Sequence, residues 1–396
     1  MKKVKKRMGI IIISAIALLL VLFSILLISS GAFMKDRYSE PWMNSYYKRY
    51  SDPRVQLAAH GILAPSGHNM QPWQVRLDPD PKIFYLYSDP NKLVPLADPL
   101  ARQTLISQGT FLEYLQAAGE RLGYKLEIEL FPEGEYDEND LKTSMKTKPV
   151  AKISIQPDKS KENPLYEHLF KPDTNRSPYK DKELTSQEIK TLKEINNEPD
   201  LKLEIFQSDS DRKTLGEFAV NGAKIESSLK RINEESANLF RANEYQKNKY
   251  RYGYSVEGQG ISGMKKHIMQ GLITLFPAIN SEKTSADLFV KSTQTAVDHT
   301  PAYAMIISKD NSRVSQIKAG RLYSRFVLKS HSLGIVVQPP SQVLEEYPEM
   351  KEQYEKIHAK YAKDGYTIQM FVRIGSPTSA SPLTMRQDVG DILRDR

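Results

Sequence analysis

The densest chemistry in the chain lies in Leu63-Ala64-Pro65-Ser66-Gly67-His68-Asn69-Met70-Gln71-Pro72-Trp73. Pro65 and Pro72 restrict the backbone and lack N–H donors, which keeps the stretch out of regular helix or sheet pairing. Asn69 and Gln71 each offer a carbonyl acceptor and an amide donor, and Ser66 adds a hydroxyl. Such groups on one rigid turn suit the polar edge of a planar heterocyclic ring. Trp73 supplies a large apolar body that anchors the strand-like residues after it. Taken alone, the same residues also make a polar turn ahead of a strand.

This stretch resembles the flavin-contacting loop of the FMN-dependent nitroreductase family, whose members carry Pro-Ser-x-x-Asn-x-Gln-Pro-Trp. The resemblance implies FMN as cofactor, with Pro65, Ser66, Asn69 and Gln71 on the ring side. The segment Leu169 to Tyr179 resembles the phosphate-side turn of the family's Acg-type branch, Arg-x-Thr-x-Arg-x-Pro-Phe. There Arg176 would give a planar, permanently charged fork and Ser177 a hydroxyl. Pro172 stands where the branch often has its first Arg, with Lys171 the nearest cation. Read alone, this is also a solvated turn capping a helix that starts near Thr185. The resemblance implies a second phosphate cation at Arg386, and an N–H facing flavin N5 from Gln338 or Ser341, since Pro339 and Pro340 have none.

These residues need elements to position them. Gln56–Leu63 reads as a short amphipathic helix leading into the Pro65 turn. Gln74–Leu77 and Ile83–Tyr87 read as strands joined by the Asp78–Pro81 turn. Thr104–Leu122 carries an apolar stripe at helical spacing and stops at Gly123. Leu126–Leu130 and Val150–Ile155 read as further strands. The order then returns: strand Ala302–Ser308, helix Gln316–Leu333 ending at Gly334, strand Thr367–Gly375. At an offset of 211, Ile106, Phe111, Leu115 and Leu122 fall on Ile317, Leu322, Phe326 and Leu333. Two copies of one α+β unit account for this, and chance agreement of two amphipathic helices is the alternative. The expected fold is α+β and nitroreductase-like: an internally duplicated pseudo-dimer of antiparallel sheets with packed helices. Residues 55–160 form the first unit and 161–390 the second, with a lid insertion at about 235–285. Only the first copy has the Pro65 loop and only the second has the Arg-Ser turn, so one flavin per chain is expected.

The other end of the chain is an anchor. Lys2, Lys3, Lys5, Lys6 and Arg7 precede residues 8–33, which carry no charge. About 20 apolar residues at ~1.5 Å each cross a bilayer core. The cation excess on the N-terminal side places residues 1–7 in the cytoplasm and the main domain outside it. The run is long for a cleavable signal, although Ser30-Gly31-Ala32 is a fair cleavage site, so an uncleaved anchor is the reading adopted. Residues 34–54 read as a polar, Tyr-rich connector.

The net charge is +8, and five of those positives precede the apolar run, leaving +3 elsewhere. That is not a nucleic-acid-binding balance. The absence of Cys excludes disulfides and thiolate chemistry. Gly258-Gln259-Gly260-Ile261-Ser262-Gly263 spells G-x-G-x-x-G but follows no buried strand, so a dinucleotide fold is not expected. The seven His show no metal-ligand spacing. His60 and His68 read as structural, and Tyr245, Tyr250, Tyr252 and Tyr254 as candidates to cover a ring. The expected function is a membrane-anchored FMN oxidoreductase acting through flavin N5. Its electron donor could be NAD(P)H, a quinol or a partner protein. A non-catalytic flavin-sequestering protein with a closed lid, and a flavin-free envelope module, are the alternatives. No metal is expected, and the chain would be a monomeric pseudo-dimer.

Overall fold

A computed structural model describes residues 2–363 and 365–394. The helices are α1 (Lys2–Ser30), α2 (Pro53–Gly61), α3 (Arg102–Leu122), α4 (Leu141–Thr147), α5 (Ser186–Lys193) and α6 (Asp209–Ser228). After them come α7 (Lys230–Ala237), α8 (Glu244–Tyr250), α9 (Gly263–Leu275), α10 (Glu282–Asp298), α11 (Arg313–Ser332) and α12 (Lys351–Tyr361). The strands are β1 (Trp73–Leu77), β2 (Ile83–Ser88), β3 (Tyr124–Leu130), β4 (Ala151–Pro157), β5 (Leu201–Phe206), β6 (Ala302–Ser308), β7 (Val336–Gln338) and β8 (Thr367–Gly375).

They form two four-stranded antiparallel sheets of matching topology. The first runs β1-β2-β4-β3 and the second β5-β6-β8-β7, each with its long helix between second and third strands in chain order. β5 was not among the expected strands, because Leu201–Phe206 alternates with charges and lies between Lys- and Glu-rich stretches. β6 and β8 are buried along their whole lengths. One face packs on α11 and the other on α6 and α12, so neither strand alternates between core and solvent, and the polar Gln369 and Arg373 of β8 are buried with hydrogen-bond partners.

The two long helices cross at glycines. A methyl group added at Gly109 would strike the Ile317 carbonyl, and one at Gly320 would strike the Ile106 carbonyl. The two contacts are reciprocal at the same 211-residue offset read from the apolar stripe. Both helices stop as expected, with Gly123 (φ +82) and Gly334 (φ +71) in the left-handed conformation that costs other residues strain.

The ends of the chain depart from the expected boundaries. The expected connector is packed structure, since Tyr38, Trp42 and Tyr46 are buried. The C-terminal segment leaves the second sheet, and Val389 and Ile392 enter the core of the first. Arg394 N–H bonds to the Val75 carbonyl at 2.9 Å. α1 is long and apolar enough to cross a membrane.

Candidate functional site

The 63–73 turn rests on the polar face of α3. Gly67 N–H donates to Ser107 Oγ (3.1 Å), Trp73 Nε1 to the Ser107 carbonyl (2.8 Å), and Thr110 Oγ1 to the Pro65 carbonyl (2.6 Å). Ser66 Oγ accepts from Gln71 N–H at 3.0 Å and closes the turn on itself. His68, Asn69 and Gln71 all have φ near +51° to +52°, and Arg251, which touches Gln71, has +57°. Four of the six left-handed non-glycine residues described in the chain therefore meet at this point. Each costs on the order of 1 kcal/mol and persists only where neighbours over-determine it.

Those neighbours come from far along the chain. Asn69 Nδ2 donates to the Gly253 carbonyl (2.9 Å) and the Met385 carbonyl (3.2 Å). Gln71 Nε2 donates to the carbonyls of Arg251 (2.9 Å) and Met385 (3.1 Å), and its Oε1 accepts from Gln387 N–H (2.8 Å). Gln71 is wholly buried, so its amide holds the turn to the Arg251 segment and the C-terminal segment. Ser66 and Asn69 remain partly open.

Arg386 is the keystone. Its two Nη groups reach Asn69 Oδ1 (2.8 Å), Thr384 Oγ1 (2.6 Å), the Met385 and Leu63 carbonyls, and Asp173 at 3.5 Å. Trp42 covers its face at 4.6 Å. Burial pushes its pKa down, and Asp173 opposes that shift. Only Nε, also buried, lacks a partner.

Asp173 leads to the second group. Asn175 N–H bonds to the Val337 carbonyl (2.8 Å), and Ser177 Oγ donates to Asn175 Oδ1 (2.5 Å). Arg373 ties β8 to this turn, with Nη2 on the Ser177 carbonyl (2.7 Å) and Nε on Gln338 Oε1 (2.6 Å). Arg176 has an exposed surface, yet crowding by protein atoms presses its pKa down, with Asp173 opposing. The hydroxyls of Tyr114 and Tyr323 are buried without partners, and both feel the Asp173 charge. Unpartnered buried polar groups of this kind call for a ligand or ordered water.

The structure thus gathers Pro65, Ser66, Asn69, Gln71 and Arg386 in one cluster and Arg176, Ser177 and Gln338 in another, with Asp173 between. Ser341 opens a short turn, Ser341–Leu344, that packs on α6. Asp173, Tyr114, Tyr323, Arg251 and Gly253 were not singled out in the sequence. Asp173 sat inside the quoted motif, but the others carry no local signal. Of the four tyrosines at 245–254, Tyr252 and Tyr254 pack against the Met70, Val94 and Leu239 cluster beside the turn. Tyr245 instead donates to the Ile28 carbonyl of α1 at 3.1 Å. His60 is structural, bonded to the Gln56 carbonyl and Tyr166 Oη and held neutral by burial, with a pKa near 4.

An acid pair lies behind the turn. Gly67 packs on Gln103, whose Nε2 donates to Glu345 Oε1 (3.5 Å). Glu345 and Glu226 are buried, each with one oxygen unpartnered. Burial pushes Glu345 well up, with the Glu226 charge adding to it, and burial raises Glu226 to about 7. The folded state thus keeps a Glu226 proton that the unfolded chain loses near 4.5, and stability falls as pH rises from there through about 7. Glu226→Gln should remove that slope, leaving stability unchanged at pH 4.5 and raising it at pH 8 by more than about 1 kcal/mol. Urea midpoints at the two pH values read this directly; equal effects at both would sink the assignment.

No family model matches the chain, and no curated protein matches it. Among solved structures it is similar to a nitroreductase-like family protein from Bacillus cereus, at 12% identity and a TM-score of 0.32 over 60% of this chain and 98% of that one. It is similar to the FMN-dependent nitroreductase NfnB from Mycobacterium smegmatis, solved with NADPH, at 13% and 0.35 over 59% and 98%. A BluB-like flavoprotein from Clostridium difficile 630 gives 12% and 0.33 over 57% and 94%. These structural neighbours are nitroreductase-like proteins and flavoproteins, and at such identity and superposition the likeness carries no residue correspondence.

Proposed function

We propose that this chain is a membrane-anchored FMN-binding oxidoreductase of the nitroreductase type, in which two like units form a pseudo-dimer within one chain. The observation that carries this reading is the strained 66–71 turn held, through Arg386 and Asp173, near Arg176, which faces the same Asp173 charge. Matching strand orders and the reciprocal glycine crossing support the duplication. Pro65, Ser66 and Asn69 would meet the ring edge, and Arg176 with Ser177 the phosphate. Gln71 and Arg386 would set the shape of the turn, Gln338 with Arg373 would brace the phosphate side, and Ser341 is the remaining candidate donor. The unpartnered Tyr114 and Tyr323 hydroxyls fit a ligand rich in acceptors. Bound FMN would supply two-electron chemistry at N5 to an acceptor not yet identified. The protein's share is to orient the ring and exclude water, with Tyr252 and Tyr254 packed on Met70. The apolar α1, with its basic N-terminal flank, supports a single pass with residues 1–7 cytoplasmic and the domain outside. In that location the donor is a quinol, a partner protein or locally supplied NAD(P)H.

One observation favours a second reading. The lid residues Arg251 and Gly253 bond to Gln71 and Asn69 directly, which suits flavin storage under a closed lid.

Purified full-length chain in detergent should carry about one FMN, read by its visible spectrum and the released chromophore. Arg176→Ala should weaken FMN binding roughly tenfold to a hundredfold. A colourless protein that takes up no added FMN would refute both readings. Bound flavin that neither NAD(P)H nor a quinol reduces would decide for storage.

A further inference from the structure

A second apolar part of the molecule lies beside α1. α9 lies against the far end of α1, where its Gly271 packs on the backbone of Leu26 so closely that no side chain would fit. The direction of α9 follows from its contacts. Lys266, five residues earlier, pairs with Glu244 at 2.9 Å and with Glu257 at 3.6 Å, and its charge reaches Asp36, five residues past Gly31. Glu244 in turn packs on Gly31, beyond the end of α1. From Lys266 to Gly271, then, α9 descends from the Gly31 level to the Leu26 level, antiparallel to α1. Its next turn continues downward.

What that turn presents is apolar and bare. Leu275, Phe276 and Ile279 are exposed, Phe276 at 58% and Ile279 at 46%. Residues 267–281 contain no Asp, Glu, Lys or Arg. The turn itself is hydrogen-bonded internally, with Phe276 N–H on the Leu272 carbonyl (2.8 Å) and Ile279 N–H on the Phe276 carbonyl (3.0 Å). Backbone satisfied in this way can enter a medium that offers no donors or acceptors.

The depth also fits. From Arg7 to Leu26 is about 28 Å of helix, close to the ~30 Å hydrocarbon thickness. With Arg7 at one headgroup layer, Leu26 stands at the opposite hydrocarbon boundary. Five further residues of α9 take Phe276 roughly 7 Å deeper, within the ~5–10 Å that interfacial helices reach.

We propose that the α9–α10 hairpin tip, Leu275–Ile279, inserts into the outer leaflet beside α1 and seats the domain on the membrane. This rests on α1 being a membrane helix. The occupant is the acyl region of the bilayer, and the hairpin adds a second membrane contact to the single span.

The chain has no cysteine, so single cysteines report position without background. Full-length Phe276→Cys, Leu19→Cys and Glu352→Cys, each carrying an environment-sensitive dye, are placed in vesicles of phosphatidylcholine and phosphatidylglycerol in equal parts. The expected result is blue-shifted emission quenched by spin-labelled lipid at positions 276 and 19, and water-like emission at 352. A soluble maleimide should label unmodified Phe276→Cys about tenfold more slowly in vesicles than in detergent. Water-like emission at 276 with lipid quenching at 19 overturns the hairpin while the anchor stands. Water-like emission at 19 overturns the anchor, and the hairpin with it. Position 276 is exposed, so the cysteine perturbs no core packing.

Discussion

Replacing Arg386 by methionine should cost the fold about 3–5 kcal/mol, the loss expected when one partner of a buried, hydrogen-bonded charge is removed. The side chain is 1% exposed, and its guanidinium serves Asn69, Thr384, Asp173 and several backbone carbonyls at once. Methionine fills much of the volume and takes the guanidinium donor away from Asn69 Oδ1, Thr384 Oγ1, Asp173 and the Leu63 carbonyl, while the Met385 carbonyl keeps Asn69 and Gln71. Lysine should fail almost as badly, because one ammonium cannot span the two sets of acceptors that the planar fork holds apart. Asp173→Asn should recover at least about 1 kcal/mol in the Arg386→Met background, since part of the cost is the carboxylate left unpaired. Urea unfolding of the detergent-purified chain tests all three. A loss under about 1 kcal/mol for methionine, or unchanged stability with lysine, would remove Arg386 from its keystone role. The 66–71 turn should also lose its left-handed residues, and with them the FMN binding proposed above, because Asn69 is held by this same guanidinium.

The second large effect is expected where α3 and α11 cross. Gly109→Ala and Gly320→Ala should each destabilise by about 2–3 kcal/mol, even though alanine favours a helix by about 1 kcal/mol over glycine. The added methyl meets a backbone carbonyl of the partner helix in each case, Ile317 or Ile106, and backbone cannot rotate aside. Gly119→Ala is the internal comparison. Its new methyl would strike a Leu126 side chain, which can change rotamer, and would meet the Tyr124 carbonyl only at 3.1 Å, so the cost should be smaller. The double Gly109→Ala, Gly320→Ala variant should cost clearly less than the sum, because the helices need to separate only once. Thermal unfolding of the four variants decides it. Strict additivity, or no difference from Gly119→Ala, would mean that the crossing tolerates an extra methyl.

Features that depend on local order follow from short stretches of residues alone. The uncharged run of residues 8–33 dictates a long apolar helix, and the stripes and terminal glycines of α3 and α11 dictate two matching amphipathic helices. The Pro65–Trp73 turn and the Arg176-Ser177 turn were also visible, because proline, glycine and polar clusters act on their own backbone. What lay outside that reach was every pairing across hundreds of residues. β5 is a strand because β6 hydrogen-bonds it, and its own charge-interrupted pattern says little. The 34–54 segment is core because the C-terminal segment covers it: Trp42 Nε1 bonds to the Thr384 carbonyl at 2.8 Å and Arg386 N–H to the Tyr38 carbonyl at 3.0 Å. Asn69 and Gln71 were readable as hydrogen-bonding residues, but only the tertiary structure turned Gln71 inward and left Asn69 partly open. An amide has the same donors and acceptors in any setting, and which partners it meets is settled by the packing of segments that sequence spacing cannot bring together.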